Sequence, residues 1–185
     1  MGQLYDIKSL YLWPILIVLF VLIYFVGRKA IPDPGLLVDG GKYSRPLMAL
    51  EQEPEAKEQL FKKWDKETKG QLRSALHWDF LFILIYPLAG VIGCFMAGRF
   101  LASAHILSFR VSFVIILLQL VAGLFDVIEN LILLRVIDGL TSTFWLSIAR
   151  ISTVGKFGLI GLGIIHALFG LLAWLYVTCR SSFRS

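Results

Sequence analysis

The sequence predicts an all-α, polytopic membrane protein: four transmembrane helices and a cytoplasmic amphipathic helix in a single membrane domain covering residues 1–185. Three observations carry that prediction. The chain is 57% hydrophobic and its mean hydropathy is +0.76, where soluble domains hold roughly 45–50% apolar residues. Four apolar runs, near 10–27, 80–98, 111–135 and 157–177, approach or exceed the ~20 residues needed to cross a bilayer. Charged residues make up only 17% of the chain, and most of them fall between residues 28 and 73.

The first run, LYLWPILIVLFVLIYFVG (10–27), is longer than a signal-peptide core and no A-x-A-like cleavage site follows it, so it reads as an uncleaved anchor. Pro14 falls early enough to be tolerated in the first helical turn. The only ionisable groups in the run are tyrosines, which suits a face turned to lipid or to another subunit.

Residues 28–55 form a loop in which IPDPGLLVDGG supplies turn residues. Leu60, Phe61, Trp64, Leu72 and Leu76 then recur mostly at three- and four-residue steps, among Lys57, Lys62, Lys63, Lys66, Lys69 and Arg73. That is an amphipathic helix with a cationic face, suited to anionic lipid head groups. The competing reading is a solvated helix leading into the next span.

In the second run Pro87 should introduce a kink, and Gly90 and Gly93 allow close helix contact. A short connection with His105 follows. A longer connection, 136–156, precedes the fourth run, with interfacial character around Phe144 and Trp145. On the fourth run Gly163 and Ala167 form a small-xxx-small pair, which points to central packing.

The third run, VSFVIILLQLVAGLFDVIENLILLR, carries the polar focus. Asp126, Glu129 and Asn130 are spaced i, i+3, i+4 and share one helix face, and Gln119 extends the stripe one heptad earlier. At 1.5 Å per residue, Glu129 lies roughly 9 Å and Asp126 roughly 14 Å inward from Arg135. The same rise puts His166 about 15 Å inward from Lys156, and Asp79 roughly 9 Å inward from Arg73. Tyr86 lies one heptad beyond Asp79. Asp79, Tyr86, Asp126, Glu129, Asn130 and His166 are therefore expected to meet in the cytoplasmic half of the membrane as a ligand- or ion-binding pocket.

Intramembrane acids mark ion, proton or ligand traffic by default. The structural alternative is that Asp126 or Glu129 pairs with Arg135, Arg150 or Lys156 and fixes helix register. A metal site built from Asp126, Glu129, His166 and Asp79 is the weaker alternative, because no His-x-x-Glu or Glu-x-x-His pair occurs on a span and His166 stands alone. No cofactor is called for. No G-x-S-x-G elbow and no Gly-Lys-Ser/Thr loop is present, and whether the chain is an enzyme stays open; a lipid-modifying enzyme using two carboxylates as acid and base is one possibility. The expected functions are a membrane-embedded transport or binding module for a cation, protons or a small lipophilic ligand, or else an accessory subunit of a larger membrane complex.

Four spans place both termini on one side, with five Lys and Arg there and thirteen on the other. The positive-inside rule then makes the 28–78 loop cytoplasmic and the termini external, in a bacterial inner membrane. The net charge of +5 fits an anionic membrane surface; nucleic acid is not expected, since no aromatic-plus-basic array accompanies it. So small a bundle is expected to work as a homo-oligomer or with a membrane partner. Cys94 and Cys179 cannot form a disulfide framework, and inert thiols are the default.

The segments HWDFLFILIYPLAG (77–90) and FDVIENLILLRVI (125–137) resemble a pattern of small bacterial four-helix membrane proteins, in which an Asp-Phe-x-Phe opening and a later Asp-x-x-Glu-Asn run occupy successive helices. Asp79, Phe80, Phe82, Tyr86, Asp126, Glu129 and Asn130 carry the similarity. The resemblance covers about 30 residues and implies the four-helix membrane fold without attaching an activity.

Overall fold

A computed structural model describes residues 12–30, 66–139 and 142–182. Every regular element among them is helical: α1 (Leu12–Ala30), α2 (Lys66–Ser103), α3 (Phe109–Ile137) and α4 (Thr143–Ser182). All four are long and apolar enough to cross a membrane.

The helices are longer than the apolar runs that foretold them. With 19, 38, 29 and 40 residues, they measure about 29, 57, 44 and 60 Å, against a hydrocarbon core of about 30 Å. A run of apolar residues marks where lipid is tolerated, whereas a helix continues as long as its backbone bonds do. The described part of the expected amphipathic segment, from Lys66, is thus continuous with the second span; Lys57, Leu60, Phe61, Lys62, Lys63 and Trp64 lie outside the described residues. Likewise most of the expected 136–156 connection belongs to α4, which begins at Thr143. Helix α2 also runs unbroken through Pro87, whose ring occupies the space a side chain at Gly123 would need.

The helix ends follow ordinary capping chemistry. After α2, His105 adopts φ 57°, Ile106 N–H donates to Leu101 O at 3.0 Å and His105 N–H to Ala102 O at 3.1 Å. That is a Schellman motif with histidine in the left-handed position glycine usually takes. Ser108 Oγ accepts from Arg110 N–H at 3.3 Å at the start of α3, as an N-cap does. Gly139, at φ 104°, ends α3 in the left-handed conformation that glycine adopts without steric penalty.

Two compact units make up the chain: Met1–Val21 with Ile85–Gly123 and Lys156–Ser185, and Leu22–Leu84 with Leu124–Gly155. In the first, small residues set the helix contacts. Gly170 lies directly against Ala97, Gly98 against Ser112, and Gly90 and Gly163 against the Gln119 side chain. Cys94, Met96, Leu101, Ile116 and Ala173 are buried beside them. In the second, Ile132, Val136, Leu146 and Ala149 form an apolar cluster joined by Ile128, Leu133 and Ile148, and Gly155 gives room to the Phe125 ring. Outward faces are apolar, including Ile17, Phe20 and Phe25 on α1 and Ile165, Leu168 and Leu172 on α4. Lipid-length helices with apolar outward faces and fully bonded backbones are what a bilayer stabilises.

Arg73 of α2 pairs with Asp138, just past α3. The two side chains are 49% and 55% exposed, and such exposed pairs contribute about 0–1 kcal/mol. Arg73→Ala is therefore expected to change the thermal midpoint in detergent by no more than a few degrees, and the small shift should disappear in high salt.

Candidate functional site

Helix α3 turns its polar side chains inward. Asp126, Glu129 and Asn130 are 4%, 1% and 2% exposed, while Leu124 and Leu131 on the same turns face outward. The i, i+3, i+4 spacing puts all three on the packed face. Asn130 Nδ2 donates to Asp79 Oδ2 of α2 at 2.7 Å. Within the second unit, then, the Asn130–Asp79 hydrogen bond ties the α3 polar face to α2. Arg135 and Arg150, two of the bases considered as partners, are exposed to the surroundings; Lys156, of the first unit, is buried with its ammonium 5.3 Å from the centre of the Phe157 ring. Asp79, Asp126, Glu129, Tyr86 and Lys156 all have partners within the protein.

The structure thus brings Asp79 and Asn130 together and buries Asp126 and Glu129 on the same α3 face. Tyr86 and His166 belong to the first unit. There His166 is 4% exposed and its ring hydrogen-bonds the Cys94 backbone. Among the described residues, no three His, Cys, Asp or Glu side chains converge as metal ligands. Cys94 and Cys179 are both free thiols, the first buried and the second exposed.

The first unit also holds polar groups beyond those singled out. Gln119 Nε2 donates to Leu159 O of α4 at 3.0 Å, and the Cys94 thiol donates to Gly163 O at 3.7 Å. Ser112 is fully buried. It was not among the expected site residues, although the spacing held the signal: Ser112, Gln119 and Asp126 recur at seven-residue steps, the period that keeps side chains on one helix face.

Chemically, buried carboxylates one turn apart are acceptors only when ionised, and they require protons, a cation or donor groups to be held away from water. Asn130 contributes such a donor to Asp79. No family model, curated protein or solved structure matches the chain. The described residues define its class directly: four helices, each long and apolar enough to cross a membrane, as in a multi-pass membrane protein, with Asp126, Glu129 and Asn130 buried on one face of α3.

Proposed function

We propose that the protein is an integral membrane binding or transport module whose Asp79, Asp126 and Glu129 take up a cation, protons or the polar head of a small lipophilic ligand, with Asn130 orienting the Asp79 carboxylate. The observation that carries this reading is the burial of Asp126, Glu129 and Asn130 on one turn of a membrane-length helix, with Asn130 bonded across to α2. Acids in such positions are expensive and are kept where they do work. In this reading the chain lies in a bacterial inner membrane with its termini outside. The basic 28–78 stretch meets anionic head groups on the cytoplasmic side, as thirteen of the 18 Lys and Arg would place it. Helix α1, with its exposed apolar faces, meets lipid, a second copy or a partner subunit.

A second reading is an accessory subunit of a larger membrane complex, whose acids pin the helices together. It is favoured by the fact that Asp79, Asp126 and Glu129 are all engaged within the protein.

One experiment separates the two. Wild type, Asp126→Asn and Glu129→Gln are purified in detergent and melted across pH and across sodium, potassium and magnesium concentrations. A binding module is stabilised by its ligand, by about 2.7 kcal/mol at a hundredfold excess over Kd, or roughly 5–10 °C for a chain of this size. The expected result is that wild type shows this shift and both variants keep their helical signal but lose it. Variants that no longer fold support the accessory-subunit reading instead. Folded variants that lose turnover of a native lipid extract, where wild type shows it, would identify a lipid-modifying enzyme.

A further inference from the structure

Polar burial in this protein does not stop at the carboxylates. On α3, Ser112, Gln119 and Asp126 are 0%, 4% and 4% exposed and recur one heptad apart, about 10 Å per step along the axis. The helix therefore carries a polar side chain inward at three successive levels. The first two belong to the unit that also contains His166 of α4.

In that unit, Ser112 Oγ and His166 Nε2 are buried and have no hydrogen-bond partner among the described residues. Elsewhere in the unit, the Cys94 thiol donates to Gly163 O and one N–H of Gln119 Nε2 to Leu159 O, which leaves the second amide N–H of Gln119 available. The His166 ring is held from its other side by the Cys94 backbone, so Nδ1 is the occupied nitrogen. With Nδ1–H committed to a carbonyl, the neutral ring presents Nε2 as an acceptor, and a serine hydroxyl can turn to donate or to accept. Buried groups of this kind are normally completed by water, which makes about three bonds at such sites.

We propose that Ser112, Gln119 and His166 form a water-binding station that passes protons through the unit containing residues 85–123 and 156–185. This rests on the reading of the carboxylates as a binding or transport site and narrows its cargo to protons. The step is a hand-over. His166 Nε2 takes a proton from a water-borne hydronium, giving the imidazolium while Nδ1–H stays on the Cys94 backbone. It then returns that proton from Nε2 to the next water. Only N–H and O–H bonds form and break, and the ring ends neutral. Gln119 does not titrate; its amide is packed against Gly90 and Gly163 and serves as a fixed donor and acceptor for water.

The test uses the full chain in vesicles of phosphatidylethanolamine and phosphatidylglycerol. A potassium gradient with valinomycin drives inward proton flux, read with an internal pH dye. Wild type is expected to acidify the lumen well above protein-free vesicles. His166→Gln and Ser112→Ala should each slow it at least tenfold while keeping the wild-type thermal midpoint in detergent within a few degrees. Ser112→Ala removes one oxygen to which no described residue is bonded, so it remains informative even if His166→Gln does not fold. Flux unchanged in Ser112→Ala and His166→Gln, but lost in Asp126→Asn, overturns the station and leaves the carboxylate site standing. No wild-type flux, with the cation-dependent stabilisation of the carboxylate site intact, overturns proton passage alone. Loss of both removes the carboxylate reading as well.

Discussion

Gly170→Ala is expected to destabilise the protein by about 1–3 kcal/mol, the range for overpacking a close-packed site. Gly170→Val should exceed that range. A methyl group at Gly170 would overlap both the Cβ and the backbone Cα of Ala97. Backbone cannot swing aside as a flexible side chain can, so α4 must move away from α2 along that contact. Between membrane helices the favourable terms are packing and hydrogen bonds, with little hydrophobic drive to compensate. The slight gain in helix propensity from glycine to alanine, at most about 1 kcal/mol, is too small to reverse the sign. Gly158 and Gly161 provide the control on the same helix: no atom of the described residues lies within 4 Å of where a Cβ would stand, so alanine at either is expected to be neutral or slightly stabilising. At about 2–4 °C per kcal/mol for this chain length, Gly170→Ala should lower the detergent melting temperature by up to about 12 °C. A variant that melts with wild type would show that the α2–α4 contact is not close-packed in solution.

These glycines show what was legible in the sequence and what was not. Four membrane-length helices followed from the apolar runs alone, because lipid imposes a composition that no soluble element needs. The inward face of α3 was also readable, since Asp126, Glu129 and Asn130 fall at spacings that permit only one shared side. Which glycine packs against what was not readable. Gly158, Gly161, Gly163 and Gly170 all sit on one helix in similar sequence surroundings, and only rotation about the helix axis decides that two of them meet α2 or α3 while two meet none of the described residues. Ser112 lay on the Asp126 face by its seven-residue spacing, but a serine near a helix end is common at a membrane interface, and its burial is what singles it out. Apolar runs mark the spans and not the helix ends, because the polar stretch from Lys66 to His77 continues the backbone ladder of α2 at no cost beyond that of leaving the lipid.

Replacing Asn130 with leucine removes the amide donor that reaches Asp79, and the effect should be large for a single buried contact. Neutral hydrogen bonds between membrane helices average about 0.6 kcal/mol in double-mutant cycles, with a maximum near 1.7. A bond to a charged acceptor is worth about 1.5–3 kcal/mol in proteins generally. The Asn130–Asp79 bond is short, at 2.7 Å, and Asn130 is nearly inaccessible, so the expected coupling lies at the upper end of the membrane range, about 1.5 kcal/mol. The measurement is a cycle of Asp79→Ala, Asn130→Leu and the double variant, melted in detergent. The two single variants should lose more, added together, than the double variant does, because each leaves behind a polar or apolar group shaped for the other. Asp79→Asn is the informative fourth variant. It keeps an oxygen for Asn130 to donate to, so it should retain most of the stability while removing a titratable group from the site. If Asp79→Asn is as unstable as Asp79→Ala, the charge itself holds α2 to α3. If the cycle closes with no coupling, the bond contributes nothing to the fold, and the burial of Asn130 must be explained by its role beside Asp126 and Glu129.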